Sequence, residues 1–219
     1  MNLAATENII SHVLAERTGP ACVTCSFQTE CMALVHLVTK QRPDIPVLFL
    51  DTGYHFPETY QYRDRISAIL NLNLINLRSA MTVAQQEGQF GILYQSAPDR
   101  CCGFRKVEPL FSGLEPYDVW FTALRRDQSP TRANLKETDD FKLPGGKVMF
   151  KVSPLADWTA RDVWAYLKQN NIPILPLYEQ GYTSIGCQPC TSLPLDPENP
   201  RSGRWAGRKL ECGIHISGQ

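Results

Sequence analysis

The sequence predicts an α/β fold, a mostly parallel sheet with helices on both faces. Three observations carry this expectation. Short apolar runs alternate with helix-period segments along the chain. One of these runs, Val47-Leu48-Phe49-Leu50, has no polar break, as in a strand buried on both faces. With 219 residues, 43% of them hydrophobic, the chain is long enough for one domain with a sizeable core.

The elements follow in order. Ala21-Cys22-Val23-Thr24-Cys25 reads as a first strand, and residues 29–39 as a helix. Val47 to Leu50 is the second strand. Pro57-Glu58 suits a helix first turn, and Tyr60, Ile66, Ile69 and Leu70 continue its apolar face. Leu74-Ile75-Asn76-Leu77, residues 117–122 and residues 147–152 are three further strand candidates. A helix over residues 159–169 is capped by Thr159 or by Asp157. From Ile172 onward the chain is rich in Pro, Gly and Arg, which suggests an ordered loop and then a mobile tail over 200–219. The whole span 1–219 is expected to be a single domain. In such sheets ligands bind beyond the carboxyl ends of the strands, here after Cys25, Leu50 and Thr122.

Composition narrows the function. The 22 Lys and Arg balance 22 Asp and Glu, which removes the usual electrostatic case for nucleic acid or an anionic membrane as partner. No apolar run approaches 18 residues, so no membrane span is expected. Met1-Asn2-Leu3-Ala4-Ala5-Thr6-Glu7 has no basic region followed by an apolar block, so no export is expected and the location expected is cytoplasmic. The eight cysteines (22, 25, 31, 101, 102, 187, 190 and 212) would then sit in a reducing compartment. There, clustered cysteines bind metal or do chemistry more often than they form disulfides.

Five segments carry chemistry. Ser26-Phe27-Gln28-Thr29-Glu30 joins a strand to a helix, and is either a phosphate site or a plain cap by Ser26 or Thr29. Pro144-Gly145-Gly146-Lys147 lacks the hydroxyl of a phosphate loop and reads as a turn. Leu50-Asp51-Thr52-Gly53, leading into Pro57-Glu58, is either a purine-facing backbone or a capped turn using Gly53. Arg125, Arg126 and Arg132 form either an oxyanion cradle or a solvated loop balanced by Asp127. Adjacent Cys101-Cys102 and the Cys187-Gln188-Pro189-Cys190 pair cannot easily converge on one ion, which favours a [4Fe–4S] cluster over zinc. Cys212 lies among five basic residues, Arg201, Arg204, Arg208, Lys209 and His215, which favour a nucleophilic thiolate. Cys22 and Cys25 are three apart on a strand, so they point to opposite faces; with Cys31 they are assigned to packing.

In this order the segments resemble the adenylyl-sulfate/3′-phosphoadenylyl-sulfate reductase family, in its iron–sulfur, assimilatory branch. The resemblance runs from Cys22 to His215. Besides the segments above, it rests on Arg105-Lys106-Val107-Glu108-Pro109-Leu110 after the paired cysteines, on Arg126-Asp127-Gln128-Ser129 with Thr131-Arg132, on Arg201-x-Gly203-Arg204-Trp205, and on Glu211-Cys212-Gly213-Ile214-His215. It implies an adenine nucleotide alpha hydrolase-like, Rossmann-like fold with adenylyl sulfate as substrate. Cys212 would attack the sulfate sulfur and release AMP, and a thioredoxin or glutaredoxin thiol would then release sulfite. Cys101, Cys102, Cys187 and Cys190 would hold the [4Fe–4S] cluster. Lys106 would bridge cluster and sulfate, Arg132, Arg201 and Arg204 would hold phosphate and sulfate, and Ser26 with the Leu50-Asp51-Thr52 backbone would hold ribose and adenine. A homo-oligomer is left open.

Two positions depart from the family pattern. Cys31 stands where the family often has Asp, and Ala123 where it often has Gly. Two rival functions remain on the residues alone. An ATP-pyrophosphatase of the same fold should show a Ser-Gly-Gly-x-Asp-Ser loop, which this chain lacks. A metal-binding interaction module would have no use for the tail thiol. The 3′-phosphorylated substrate is the remaining alternative within the family.

Overall fold

The computed structural model describes residues 1–196, 198–207 and 214. Six strands form one sheet: β1 (Ala21–Thr24), β2 (Pro46–Asp51), β3 (Asn73–Arg78), β4 (Val119–Phe121), β5 (Thr138–Lys142) and β6 (Val148–Val152). Their order is β3-β2-β1-β4-β6-β5. All neighbours are parallel except the hairpin β5–β6. The carboxyl ends of β1, β2 and β4 therefore open on the same edge, at the reversal of strand order beside β1.

Alternation along the strands sends neighbouring residues to opposite faces. Val23, Phe49 and Phe121 face the larger core. There they meet helices α1 (Leu3–Glu16), α2 (Thr29–Gln41) and α3 (Pro57–Ile69). Cys22, Leu48 and Trp120 face a smaller core with Leu110, Leu114 and Phe141. This second face is covered by a helical stretch: α4 (Val83–Phe90), α5 (Leu93–Ser96), α6 (Pro98–Cys102), a π-helical turn Gly103–Val107 and α7 (Glu108–Leu114). The last helix, α8 (Ala160–Gln169), packs beside α2 on the larger face.

The predicted strands and the helices near residues 29, 57 and 160 are all present. Three features were not read from the sequence. Helix α1 buries only Thr6, Ile10 and Val13, a stripe too narrow to stand out. The stretch 83–114 is broken into short helices by Pro98, Pro109 and several glycines, so no single period persists. Strand β5 exposes three of its five positions and lies at the sheet edge.

Capping brings one correction. Neither Ser26 nor Thr29 caps α2; Gln28 occupies the cap position without a side-chain cap bond. At α8, by contrast, Thr159 is the cap and Asp157 is not. Its hydroxyl accepts from Asp162 N–H at 3.1 Å, and Asp162 accepts from Thr159 N–H at 2.9 Å. Residues 144–147 form the β5–β6 turn, where Gly146 has φ +90° and donates to the Leu143 carbonyl at 2.9 Å. Cys22 and Cys25 lie in different cores, on opposite faces as expected.

The segment after Ile172 is pinned to the body. His55 and Cys187 form an isolated antiparallel bridge, as do Thr191 and Arg204. In the part of the expected tail that is described, Arg204 and Trp205 are buried and Ile214 packs against the smaller core. Cys212 and His215 lie outside the described residues. Among the described residues no helix is long and apolar enough to cross a membrane.

Thr159→Ala removes the acceptor for the α8 N-terminus and should cost about 1 kcal/mol, read as a lower Tm in thermal unfolding.

Candidate active site

A cleft of about 700 Å³ lies at the carboxyl ends of β1, β2 and β4, within the size range of small-molecule sites. Three loops and the segment 181–205 line it. The first loop turns at Phe27, which has φ +60°, unusual for a residue with a Cβ. Burial holds it there: the Phe27 ring meets Phe49 edge-on at 5.5 Å and Tyr62 at 6.3 Å. With Phe27 turned inward, Ser26 and Gln28 line the cleft. Gln28 Nε2 donates to Ser26 Oγ at 3.0 Å, and Gln28 Oε1 accepts from Ile185 N–H at 2.9 Å.

In the second loop, Leu50 and Thr52 line the cleft but Asp51 does not. The Asp51 carboxylate accepts from Tyr60 OH at 2.7 Å, Arg78 Nε at 2.8 Å and Gly53 N–H at 3.2 Å. Burial pushes this carboxyl up, but those donors outweigh burial and hold it below the ordinary carboxylate range. Asp51 thus shapes the loop from behind. His55 lies between Gly53 and Pro57, and the sequence assigns it no role. It lines the cleft and its Nε2 lies 2.8 Å from the Leu50 carbonyl. A carbonyl only accepts, so Nε2 carries the proton. Burial depresses His55 to about 4, so the ring is neutral at pH 7.

The third loop fits neither reading for all three arginines alike. Arg125 is 4% exposed and binds Glu30 Oε1 at 2.8 Å, Asp127 and the Trp158 carbonyl. Arg126 pairs with Asp157 and donates to the Leu135 carbonyl at 2.7 Å. Arg132 lines the cleft and touches Gln128, which also donates to Glu30 at 3.1 Å. Burial pushes Glu30 up; the Arg125 charge and hydrogen bond more than reverse this and keep it ionised. This pair ties the α2 N-terminus to the loop after β4.

Lys106, Arg201 and Arg204 also line the cleft. Arg204 stacks on Trp205, its guanidinium 4.5 Å from the ring centroid, and reaches the Cys190 carbonyl at 3.4 Å. Gly186 leaves it room: a Cβ there would collide with the guanidinium.

Beside the cleft is a small pocket lined by Cys101, Cys102, Cys187 and Cys190. Lys106 and Trp205 border both cavities. Burial raises the Cys101 thiol, and Cys102 and Cys187 add to it; Cys190 is pushed up to about 11, by burial and then by Cys187. The thiols share one wall without converging on a point: among the described residues no three His, Cys, Asp or Glu could hold a metal ion. The Cys187 thiol donates to Thr52 Oγ1 at 3.3 Å, and Gln188 N–H donates to the Tyr54 carbonyl at 2.6 Å. Gln86, fully buried, reaches Cys101 Sγ at 3.9 Å. It is held by Arg105 Nε at 2.7 Å, while Arg105 also caps the Met81 and Thr82 carbonyls. Nothing in the sequence around Gln86 marks it.

The chain matches the family model described as phosphoadenosine phosphosulfate reductase domain over residues 20–193. A Streptomyces coelicolor protein named adenosine 5′-phosphosulfate reductase is 46% identical over 196 residues, spanning 89% of this chain and 81% of that protein. A Lysinibacillus sphaericus protein of the same name is 43% identical over 197 residues, spanning 87% and 82%. Among solved structures, phosphoadenylyl-sulfate reductase from Candida auris superposes with a TM-score of 0.73 at 22% identity, covering 87% of this chain and 93% of that one. At that identity the likeness speaks for the fold.

Two outcomes are expected. Arg125→Met leaves Glu30 charged and buried without its partner, and should lower stability by about 3–5 kcal/mol in denaturant unfolding. Glu30→Gln added to it should recover part of that loss. For His55, both states are neutral above about pH 6.5; between 6.5 and 4 the unfolded chain takes up a proton that the folded one refuses, so its contribution to stability falls across that window and levels off below it. An NMR titration of the His55 ring should place its midpoint near pH 4; a midpoint near 6.5 would contradict the buried neutral ring.

Proposed function

The chain belongs to the phosphoadenosine phosphosulfate reductase domain family, and on that premise we propose that it reduces adenylyl sulfate to sulfite and AMP, with electrons from a protein thiol. The reaction serves sulfate assimilation and, beyond it, cysteine synthesis in the cytoplasm. The observation that carries this reading is the shared wall at Lys106. One ammonium borders both a nucleotide-sized cleft and a pocket of four thiols.

The chemistry follows from the residues. Adenine and ribose would lie against Ser26 and the backbone of Leu50 to Thr52. The phosphosulfate carries negative charge and needs a cationic cradle, which Lys106, Arg132, Arg201 and Arg204, all lining the cleft, would supply. Cys212 would attack the sulfate sulfur as thiolate. The bond from that sulfur to the bridging oxygen breaks, and AMP leaves with the electron pair. Cys212 then carries an S-sulfo group. A thioredoxin or glutaredoxin thiolate attacks the Cys212 sulfur, forming a mixed disulfide and expelling sulfite with its electron pair. A second donor thiol resolves that disulfide and frees Cys212. In support, Ile214, two residues beyond Cys212, lines the cleft and packs on the smaller core.

The four pocket cysteines suit a [4Fe–4S] cluster. Its iron corners are spread apart, so its ligands need not converge on one point as those of a single ion must. The mutual raising of these buried thiols is relieved when a cationic centre binds them as thiolates. When bound, the cluster would tune the electrostatic field beside the sulfate. Lys106 would point the sulfate toward it, and Gln86, Thr52 and Arg105 would steady the thiol wall.

Anaerobically purified protein with reduced thioredoxin should form sulfite from adenylyl sulfate and more slowly from the 3′-phosphorylated compound. Cys212→Ser should abolish sulfite formation while the iron–sulfur absorption stays. Unchanged sulfite formation by that variant would remove Cys212 from the reaction. A faster rate with the 3′-phosphorylated compound would reassign the substrate.

A further inference from the structure

We propose that Gln86 is a positioning residue for Cys101: its amide, locked in direction by Arg105, donates an N–H···S hydrogen bond to that sulfur as a thiolate and so tunes the group the four pocket cysteines hold. The proposal rests on the cluster reading above and deepens it.

Helix α4 buries one residue of its eight, and that residue is Gln86, fully enclosed. A surface helix ordinarily turns an apolar stripe inward; this one turns in an amide. Burying an amide is costly unless both of its ends are hydrogen-bonded. Gln86 Oε1 accepts from Arg105 Nε at 2.7 Å. Among the described residues, Gln86 Nε2 has one partner, Cys101 Sγ at 3.9 Å.

The amide cannot turn over. A guanidinium only donates, so the Gln86 oxygen must face Arg105 and the NH2 must face Cys101. Arg105 is itself fixed. It is buried, and it donates to the Met81 carbonyl at 2.9 Å and to the Thr82 carbonyl at 2.6 Å. Thr82 is the N-cap of α4, so the same guanidinium holds the start of the helix and its one buried side chain. Cys101 and Arg105 are four residues apart on one helical stretch, and they grip the amide from its two ends.

The acceptor shows what this donor is suited to. A thiol sulfur is a weak acceptor, whereas hydrogen bonds to an ionised partner are the strong ones. Thr52, beside Cys187, can serve either state, because a hydroxyl both accepts and donates; here it accepts from the Cys187 thiol at 3.3 Å. The locked amide of Gln86 can only donate. It is therefore matched to Cys101 as thiolate, the state in which a cysteine ligates iron. A donor on a ligand sulfur favours the more negative, reduced form of the metal group and so raises its reduction potential.

The experiment compares the full chain, purified anaerobically with its cluster, with Gln86→Glu and Gln86→Met. The glutamate keeps the length and the bond to Arg105 but, ionised beside that guanidinium, has no proton to donate. The methionine keeps the bulk, adds no charge and removes the donor. Reduction potential is read by voltammetry and the Fe–S(Cys) stretching bands by resonance Raman. Both variants should shift to lower potential and move an Fe–S(Cys) band to higher frequency. Loading the cluster in D2O should shift that band in the unaltered chain, and the isotope shift should shrink in Gln86→Glu whatever its added charge does, so the test stands even where Gln86→Met does not fold. If Gln86→Glu matches the unaltered chain in all three readouts, Gln86 is only a support for Arg105 and the proposal is overturned. A potential shift in Gln86→Glu with none in Gln86→Met would reduce the effect to added charge, and would overturn it as well. An unaltered chain that shows no iron–sulfur absorption at all counts instead against the cluster reading on which the proposal stands.

Discussion

A backbone hydrogen bond clasps the two halves of the site together. Gln188 donates to the Tyr54 carbonyl at 2.6 Å, inside a bridge between His55 and Cys187. It clasps the loop after β2 to the segment that carries two of the four pocket thiols. Without it, the cleft and the thiol pocket would be separate features on separate loops. With it, Thr52 meets Cys187, and Lys106 borders both cavities. Backbone bonds are suited to this task, since they fix position without using side chains the chemistry needs.

Charge is distributed with the same economy. The chain is neutral overall, yet its cations are not interchangeable. Arg125 is consumed by Glu30 and Asp127, Arg126 by Asp157, and Arg105 by Gln86 and two carbonyls. These guanidiniums, two of them buried, hold loops in place. Lys106, Arg132, Arg201 and Arg204 line the cleft. A buried ion pair is a poor source of net stability but a strict one, because removing either partner strands a charge. The Glu30–Arg125 pair accordingly fixes where α2 begins, and with it the Cys31 thiol.

The sequence by itself determined five of the six strands and the helices α2, α3 and α8. Unbroken apolar runs such as Val47 to Leu50 are readable because a strand buried on both faces tolerates no polar residue. The order of strand and helix then pointed to the strand ends where the cleft lies, and the cysteine spacing marked the four thiols that line one pocket. Tertiary structure alone decided which charged and polar groups are available. Arg125 and Arg132 look alike in the chain, but only contacts from α2, nearly a hundred residues earlier, lock the first and not the second into Glu30. Asp51 was legible as a loop residue but not as one turned toward Tyr60 and Arg78. Gln86 left no local signal at all. Such pairings depend on long-range geometry and burial, which periodicity and spacing do not encode.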